Sequence, residues 1–443
     1  MTTKNIQNWA LAALILIVSA CKPEIDAPQL NKGSADFSKY IAIGNSLTAG
    51  FSDGGLYLSS QKTAYPNIIA EQMKLVGGGD FTSPFFDDAH ANGSGYKKVD
   101  GFTATGLPIL SDVTSNLGYR AKDLLIKNTT EIQNLGIPGM RMDLSFVPEF
   151  SALNMYFERL LPDAQVGTTS YFNYVQNRNH TFFSLWLGNN DVLGWATNGG
   201  EVAGATTTLT NKQTFAGAYS NFINAITAQG QKGVVATIPD VTAIPFLNTV
   251  TVDAINAGLK AKPETANYNL IINALDPSTG THKPRLATSS DLIVLTFNTA
   301  LIGTTVNDIP GYGVIPQNPI PSNQVLDAAE IAIAKDYLLS YNASIKAIAK
   351  SKNLAVFDAY EFLNSLSKTH KDEAGQDIKG IVVDGVNVNS NYVSGNAFSL
   401  DGIHLTPMGN AIAANGFIKA INQQYGSTIP TVSIIAYPGV KFP

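Results

Sequence analysis

The sequence predicts an α/β domain of the doubly wound type with about five core strands. Three observations carry this reading. Several short runs are apolar throughout instead of alternating, helical patterns lie between them, and three of the runs end in turns rich in glycine and asparagine. Strands that are hydrophobic on both faces suit a parallel sheet covered by helices. Strands alternating with helices build that architecture, and five is a common sheet size.

The elements follow in order. "YIAIGNS" (40–46) is the first strand-like run and breaks at Gly44. "YPNIIAEQMKLV" (65–76) reads as a helix with Pro66 near its first turn, where a missing N–H does no harm. "EIQNLGIPG" (131–139) ends in Gly-x-Pro-Gly, and "TFFSLWLGNND" (181–191) breaks at Gly188. A helical pattern over 211–230 stops at Gly230 and leads to "GVVATIPD" (233–240). The longest helical pattern spans 326–353 and precedes "LAVFDAY" (354–360). The last helix, 406–426, opens with Thr406 as N-cap and Pro407 at the first helical position.

Three segments break this rhythm. Residues 77–129 are rich in Gly, Asp, Ser and Thr, residues 250–325 hold several prolines, and residues 371–399 include "VNVNSNYVSGN". In the last, Asn387, Asn389 and Asn391 alternate like a strand with one solvated face. All three read as insertions forming hairpins or a cap, because loops this long in a compact domain are usually functional or independently folded. No internal repeat, low-complexity block or separate second domain stands out.

The amino terminus reads as a targeting segment. Lys4 is the only charge before an apolar run of twelve, Trp9 to Ala20. That is too short to span a bilayer and suits a signal peptide. The run ends in "VSAC", which resembles a bacterial lipobox. On that resemblance residues 1–20 are a lipoprotein signal peptide, and Cys21, the only cysteine, becomes the lipidated first residue of the mature protein. The expected location is then the cell envelope, with acyl chains anchoring the protein to the outer membrane of a Gram-negative bacterium. Residues 21–36, polar with two prolines, read as a flexible tether. The domain is expected over 37–428, followed by a tail at 429–443.

Composition excludes other classes. The 443 residues suffice for a large core with insertions. Only 14% are charged and the formal net charge is −5, so nothing basic enough to bind nucleic acid is present. Losing Lys4 with the signal peptide makes the balance −6. His90, His180, His282 and His370 lack ligand spacing, and there is no zinc signature or calcium loop.

In a doubly wound sheet, ligands bind outside the carboxyl ends of the strands. There the sequence places Gly44-Asn45-Ser46, Gly136-Ile137-Pro138-Gly139 and Gly188-Asn189-Asn190-Asp191, while Asp401 and His404 precede the last helix. Ester hydrolysis needs a nucleophile, a base, a group that orients the base, and donors for an oxyanion. Ser46 at a strand-to-helix turn can be the nucleophile and His404 the base. Asp401 can fix the imidazole tautomer, with Gly402 allowing the bend between them. Backbone N–H groups of Ser46 and Gly139 and the side chain of Asn190 can bind the oxyanion. Each motif alone is weak, and Gly-Asn-Ser by itself is ordinary turn chemistry. Trp195 reads equally well as pocket lining or as packing.

The four motifs together resemble the SGNH hydrolases, the GDSL lipase/acylhydrolase family. "GNSLT", "NLGIPG", "LGNND" and "DGIHLTPMG" are similar to its motif blocks in order. The resemblance implies a three-layer α/β/α sandwich with a flavodoxin-like parallel sheet carrying long insertions. It also implies an acyl-enzyme on Ser46 with Asp401 and His404, an oxyanion hole of Ser46, Gly139 and Asn190, and no cofactor or metal. Asn45 stands where the family has Asp. Thr48 stands where a Gly-x-Ser-x-Gly elbow needs its second glycine, which excludes that motif. The expected partners are a small-molecule, lipid or glycan ester and a membrane. A carbohydrate O-acetylesterase of the same fold, or a non-catalytic surface lipoprotein binding glycan or lipid, are the alternatives.

Overall fold

The computed structural model describes residues 29–103, 108–121, 124–371 and 375–443. The signal peptide, Cys21 and the first part of the tether lie outside the described residues. The central sheet has five strands: β1 (Tyr40–Gly44), β2 (Asn134–Gly136), β3 (Phe182–Trp186), β4 (Lys232–Ala236) and β5 (Ala355–Phe357). Their order is β2-β1-β3-β4-β5, and every pairing is parallel. This is the flavodoxin-like order, whose topological switch point lies between β1 and β3. The doubly wound reading and the strand count are therefore borne out.

Four of the strands sit inside the runs that predicted them, trimmed at the ends, and β4 begins at Lys232, one residue before its run. β1 and β3 are buried along their whole length, as strands covered on both faces require. The principal helices are α1 (Ser46–Ala49), α2 (Tyr65–Lys74), α3 (Asn190–Thr197), α4 (Lys212–Ile226), α5 (Val252–Lys260), α6 (Ala328–Ser351) and α7 (Pro407–Tyr425). α2 and α7 pack on one face of the sheet, α4 and α6 on the other. On the first face Tyr65 stacks on Phe417 at 4.8 Å, and Trp186 meets Phe357 and Phe417 edge-on. On the second, Phe215 stacks on Tyr341 at 4.0 Å. Asp327 and Glu330 form a capping box at the start of α6. Thr406 caps α7 by accepting from the Gly409 N–H at 3.0 Å.

The three irregular segments fold into antiparallel pieces. Tyr96–Phe102 pairs with Pro108–Val113, and Ile271–Asp276 with Thr281–Leu286. Val250–Thr251, Leu292–Ile293 and Val325–Leu326 form a small sheet beside α5. Ile381–Val383 pairs with Val386–Val388. The asparagine alternation stops there: Asn387 is exposed, but Asn389 is buried beyond the strand and accepts from the Asn391 N–H.

Both ends of the described chain pack against α7. Ser34 N–H donates to the Tyr425 carbonyl at 2.9 Å, and Phe37 is buried. Ile429 and Ile434 in the tail are also buried.

Candidate active site

The ends of β1 and β2 are locked together before the first reactive group appears. Gly44 N–H donates to the Tyr171 hydroxyl (3.0 Å), which donates to the Leu135 carbonyl (2.7 Å). Asn134 Nδ2 donates to the Thr48 carbonyl at 3.0 Å. Neither neighbouring glycine has room for a side chain. A Cβ on Gly136 would lie 2.3 Å from the Ala49 nitrogen, and one on Gly44 2.6 Å from the Trp186 carbonyl oxygen. The turn that presents Ser46 is thus clamped by the sheet.

Asn45 caps α1, its side chain accepting from the Leu47 N–H at 3.2 Å. Ser46 follows, and its Oγ lies 2.8 Å from His404 Nε2. His404 Nδ1 lies 2.8 Å from Asp401 Oδ2. The structure therefore brings Ser46, His404 and Asp401 into one hydrogen-bonded line across 358 residues of sequence. Gly402 has φ +71°, which makes the bend the sequence suggested.

Asp401 is held from several directions. Oδ1 accepts from the Ile403 and His404 N–H groups at 2.8 Å and from Ser399 Oγ at 3.1 Å; Oδ2 also accepts from the Gly54 N–H at 2.9 Å. Burial alone would raise its pKa. The imidazole of His404 and these backbone donors outweigh that, and hold the carboxyl well below the usual carboxylate range.

The other expected site residues keep donors unused. Gly139 is exposed with φ +80°. Neither its N–H nor that of Ser46 makes a hydrogen bond among the described residues. Asn190 Nδ2 donates one hydrogen to the Met140 carbonyl at 2.9 Å, which fixes the amide and leaves the second hydrogen available. Asn189 is buried, and its Oδ1 has no partner among the described residues. Unpaired donors of this kind can bind a negative charge. Among the described residues no group of three or more His, Cys, Asp and Glu could hold a metal ion, and no helix is long and apolar enough to cross a membrane.

The sequence model of the GDSL-like Lipase/Acylhydrolase family matches residues 40–417, most of the chain. The chain belongs to that family. It is a hydrolase acting on ester bonds. Among solved structures, a possible lipase from Chitinophaga pinensis DSM 2588 aligns at 13% identity over 88% of this chain and 99% of that chain, with a TM-score of 0.30. No curated protein matches.

This GDSL-type chain also uses residues that the sequence motifs did not single out. The segment after Ser46 grips the Asp401–His404 loop: Ser52 Oγ donates to the Leu405 carbonyl, Asp53 N–H to Ser399 Oγ, and Leu400 N–H to Asp53 Oδ1. The Phe51 ring lies 4.7 Å from that of His404. Arg141, fully buried, bonds the Asn190 and Thr208 carbonyls and both oxygens of Asp143. Asp191 accepts from the Met142 N–H at 2.8 Å. Together they tie the Gly139 loop to α3. One signal for Arg141 was available: it is a lone cation two residues past Gly139 in a chain poor in charge. Trp195 is buried in the core, so its packing reading is the observed one.

Proposed function

We propose that this hydrolase is a serine esterase that works through an acyl-enzyme on Ser46. The observation that carries the reading is the continuous line from Ser46 Oγ through His404 to Asp401, with 2.8 Å at both steps. His404 Nε2 takes the Ser46 proton as Oγ attacks the ester carbonyl. The free N–H groups of Ser46 and Gly139 and the second hydrogen of Asn190 receive the oxyanion. His404 then protonates the leaving alcohol, and a water deprotonated by His404 releases the acid.

The substrate in this reading is a lipid-type acyl ester, and Cys21 carries the lipid that holds the enzyme at a membrane surface of the cell envelope. Hydrolysis of p-nitrophenyl acetate tests the chemistry. Ser46→Ala and His404→Ala are each expected to lower kcat by about 10⁶-fold, as when either member of such a unit is removed. Turnover persisting in Ser46→Ala would overturn the assignment. Mass spectrometry of the exported protein, seeking a diacylglyceryl group on Cys21, tests the anchor.

A further inference from the structure

The turn that follows α1 brings a second carboxylate to the Asp401–His404 loop. Ser52 and Gly55 exchange two backbone hydrogen bonds of 2.9 Å, and between them Asp53 and Gly54 have φ +54° and +78°. Asp-Gly suits such a two-residue turn, because both positions need positive φ. Glycine or asparagine at the first position would meet that need as well. The turn therefore accounts for the backbone of Asp53 and not for its side chain.

That side chain is half-buried and fully engaged. Oδ1 accepts from the Leu400 N–H at 2.9 Å, and Oδ2 accepts from the Tyr57 hydroxyl. Burial, with the charge of Asp401 added, pushes the Asp53 carboxyl up against the pull of these two donors. Desolvation and repulsion thus both work against the placement, and the grip on Leu400 is what it gains.

The backbone of the same turn supplies Asp401 with donors. Gly54 N–H donates to Asp401 Oδ2 at 2.9 Å, the oxygen that also meets His404 Nδ1. Asp53 N–H donates to Ser399 Oγ at 2.9 Å, and Ser399 Oγ donates to Asp401 Oδ1 at 3.1 Å. On its other side the turn is seated on the first insertion. Lys97 N–H donates to the Asp53 carbonyl at 2.7 Å, and Tyr57 stacks on Tyr96 with ring centroids 4.0 Å apart. A Cβ on Gly55 would lie 1.6 Å from the Gly95 carbonyl oxygen, so turn and insertion meet backbone to backbone.

We propose that Asp53 is a positioning residue: by holding the Leu400 N–H it keeps the Asp401–His404 loop seated on this turn, and so keeps Asp401 Oδ2 aimed at His404 Nδ1 during turnover. The proposal rests on the esterase reading above. The Asp53 carboxylate bonds Leu400 and Tyr57, and neither Ser46 nor His404, so it acts through Asp401.

The test is hydrolysis of p-nitrophenyl acetate, with kcat expressed per site labelled to completion by diethyl p-nitrophenyl phosphate. Asp53→Gly removes the carboxylate and keeps the turn, since glycine accepts positive φ. Asp53→Asn keeps an acceptor for the Leu400 N–H. Asp53→Gly is expected to lower kcat per site about 10²-fold with KM little altered, the effect of a displacement of about 1 Å. Asp53→Asn is expected to recover most of that loss. Hydrogen exchange over residues 398–405, read by mass spectrometry, does not depend on turnover and is expected to quicken in Asp53→Gly alone. Wild-type kcat per site in Asp53→Gly, or an equal fall in both variants, would overturn the proposal and leave the esterase reading standing. A wild type that neither hydrolyses the ester nor takes the label would overturn the esterase reading. Faster exchange in Asp53→Gly alone would then still support Asp53 as the residue that seats the loop, and unchanged exchange would overturn that too.

Discussion

Asn45 is the residue at which this chain departs from the family motif, and its surroundings say what the departure does. Its Oδ1 performs the capping an aspartate would perform, while its Nδ2 is buried without a partner among the described residues. An unpaired buried donor costs about 1–3 kcal/mol. Asn45→Ala is expected to lose the cap and about 1 kcal/mol of stability, and Asn45→Asp to lose less, as read from urea midpoints. Asp191 offers a second test. Thr210 Oγ1 lies 2.7 Å from Asp191 Oδ1 and 2.9 Å from Asp143 Oδ2, and it accepts from Arg141 Nη2. One hydroxyl proton cannot be given fully to both carboxylates, which crowds two acceptors onto one donor. Burial, with the charge of Asp143 added, pushes Asp191 up to about 6 against the pull of Arg141. An unfolded aspartate titrates near 3.9. Between those values the folded chain binds more protons, so this group's contribution to stability falls as pH rises from about 4 to about 6. Asp191→Asn is expected to lack that slope, so the difference between its midpoints and those of the wild type should change as pH passes from about 4 to about 6; parallel pH profiles would contradict it. The Asp191 cluster was not legible beforehand, because burial and shared protons depend on neighbours up to 69 residues apart.

At the scale of elements, the apolar runs located all five central strands because both faces of each strand are covered, and a fully buried strand leaves a continuous hydrophobic signature. Helix ends were legible where a side chain defines them, as at Thr406 and Pro407. The insertions were legible only as interruptions: short hairpins such as Ile381–Val383 with Val386–Val388 carry too few residues to show a period. The candidate site contains something no motif displays, the brace between the Gly139 loop and α3. Arg141 supplies it with a planar fork that lysine cannot copy. Arg141→Lys is therefore expected to let Gly139 and Asn190 drift from register. On the esterase reading kcat for p-nitrophenyl acetate should fall about 10²–10³-fold, the cost of losing an oxyanion donor, with KM little altered. A change in KM alone would mean that Arg141 serves binding and not the brace.

Over the whole molecule, the two ends of the described residues act as one clasp. Ser34 N–H bonds the Tyr425 carbonyl and Thr428 N–H bonds the Asn31 carbonyl. Lys232 Nζ reaches the Ser34 carbonyl, so the segment before β1 joins α7 to β4. The segment read from its composition as a free tether is therefore attached over its later residues, since polarity and proline content report solubility and not whether a backbone finds partners. The attachment has a measurable consequence. A chain beginning at residue 29 keeps the clasp. One beginning at residue 38 loses it together with Phe37, which is 1% exposed and meets Phe182 edge-on at 4.9 Å. Deleting a buried phenylalanine side chain costs about 3–5 kcal/mol. The shorter protein should therefore unfold at a clearly lower denaturant concentration, by at least that free energy. The Ser46–His404–Asp401 line lies at the opposite, carboxyl end of the strands, so on the esterase reading surviving molecules of the shorter protein should keep their kcat on p-nitrophenyl acetate. Equal midpoints for the two proteins would show that the clasp contributes no stability and that the whole segment before β1 is spacer.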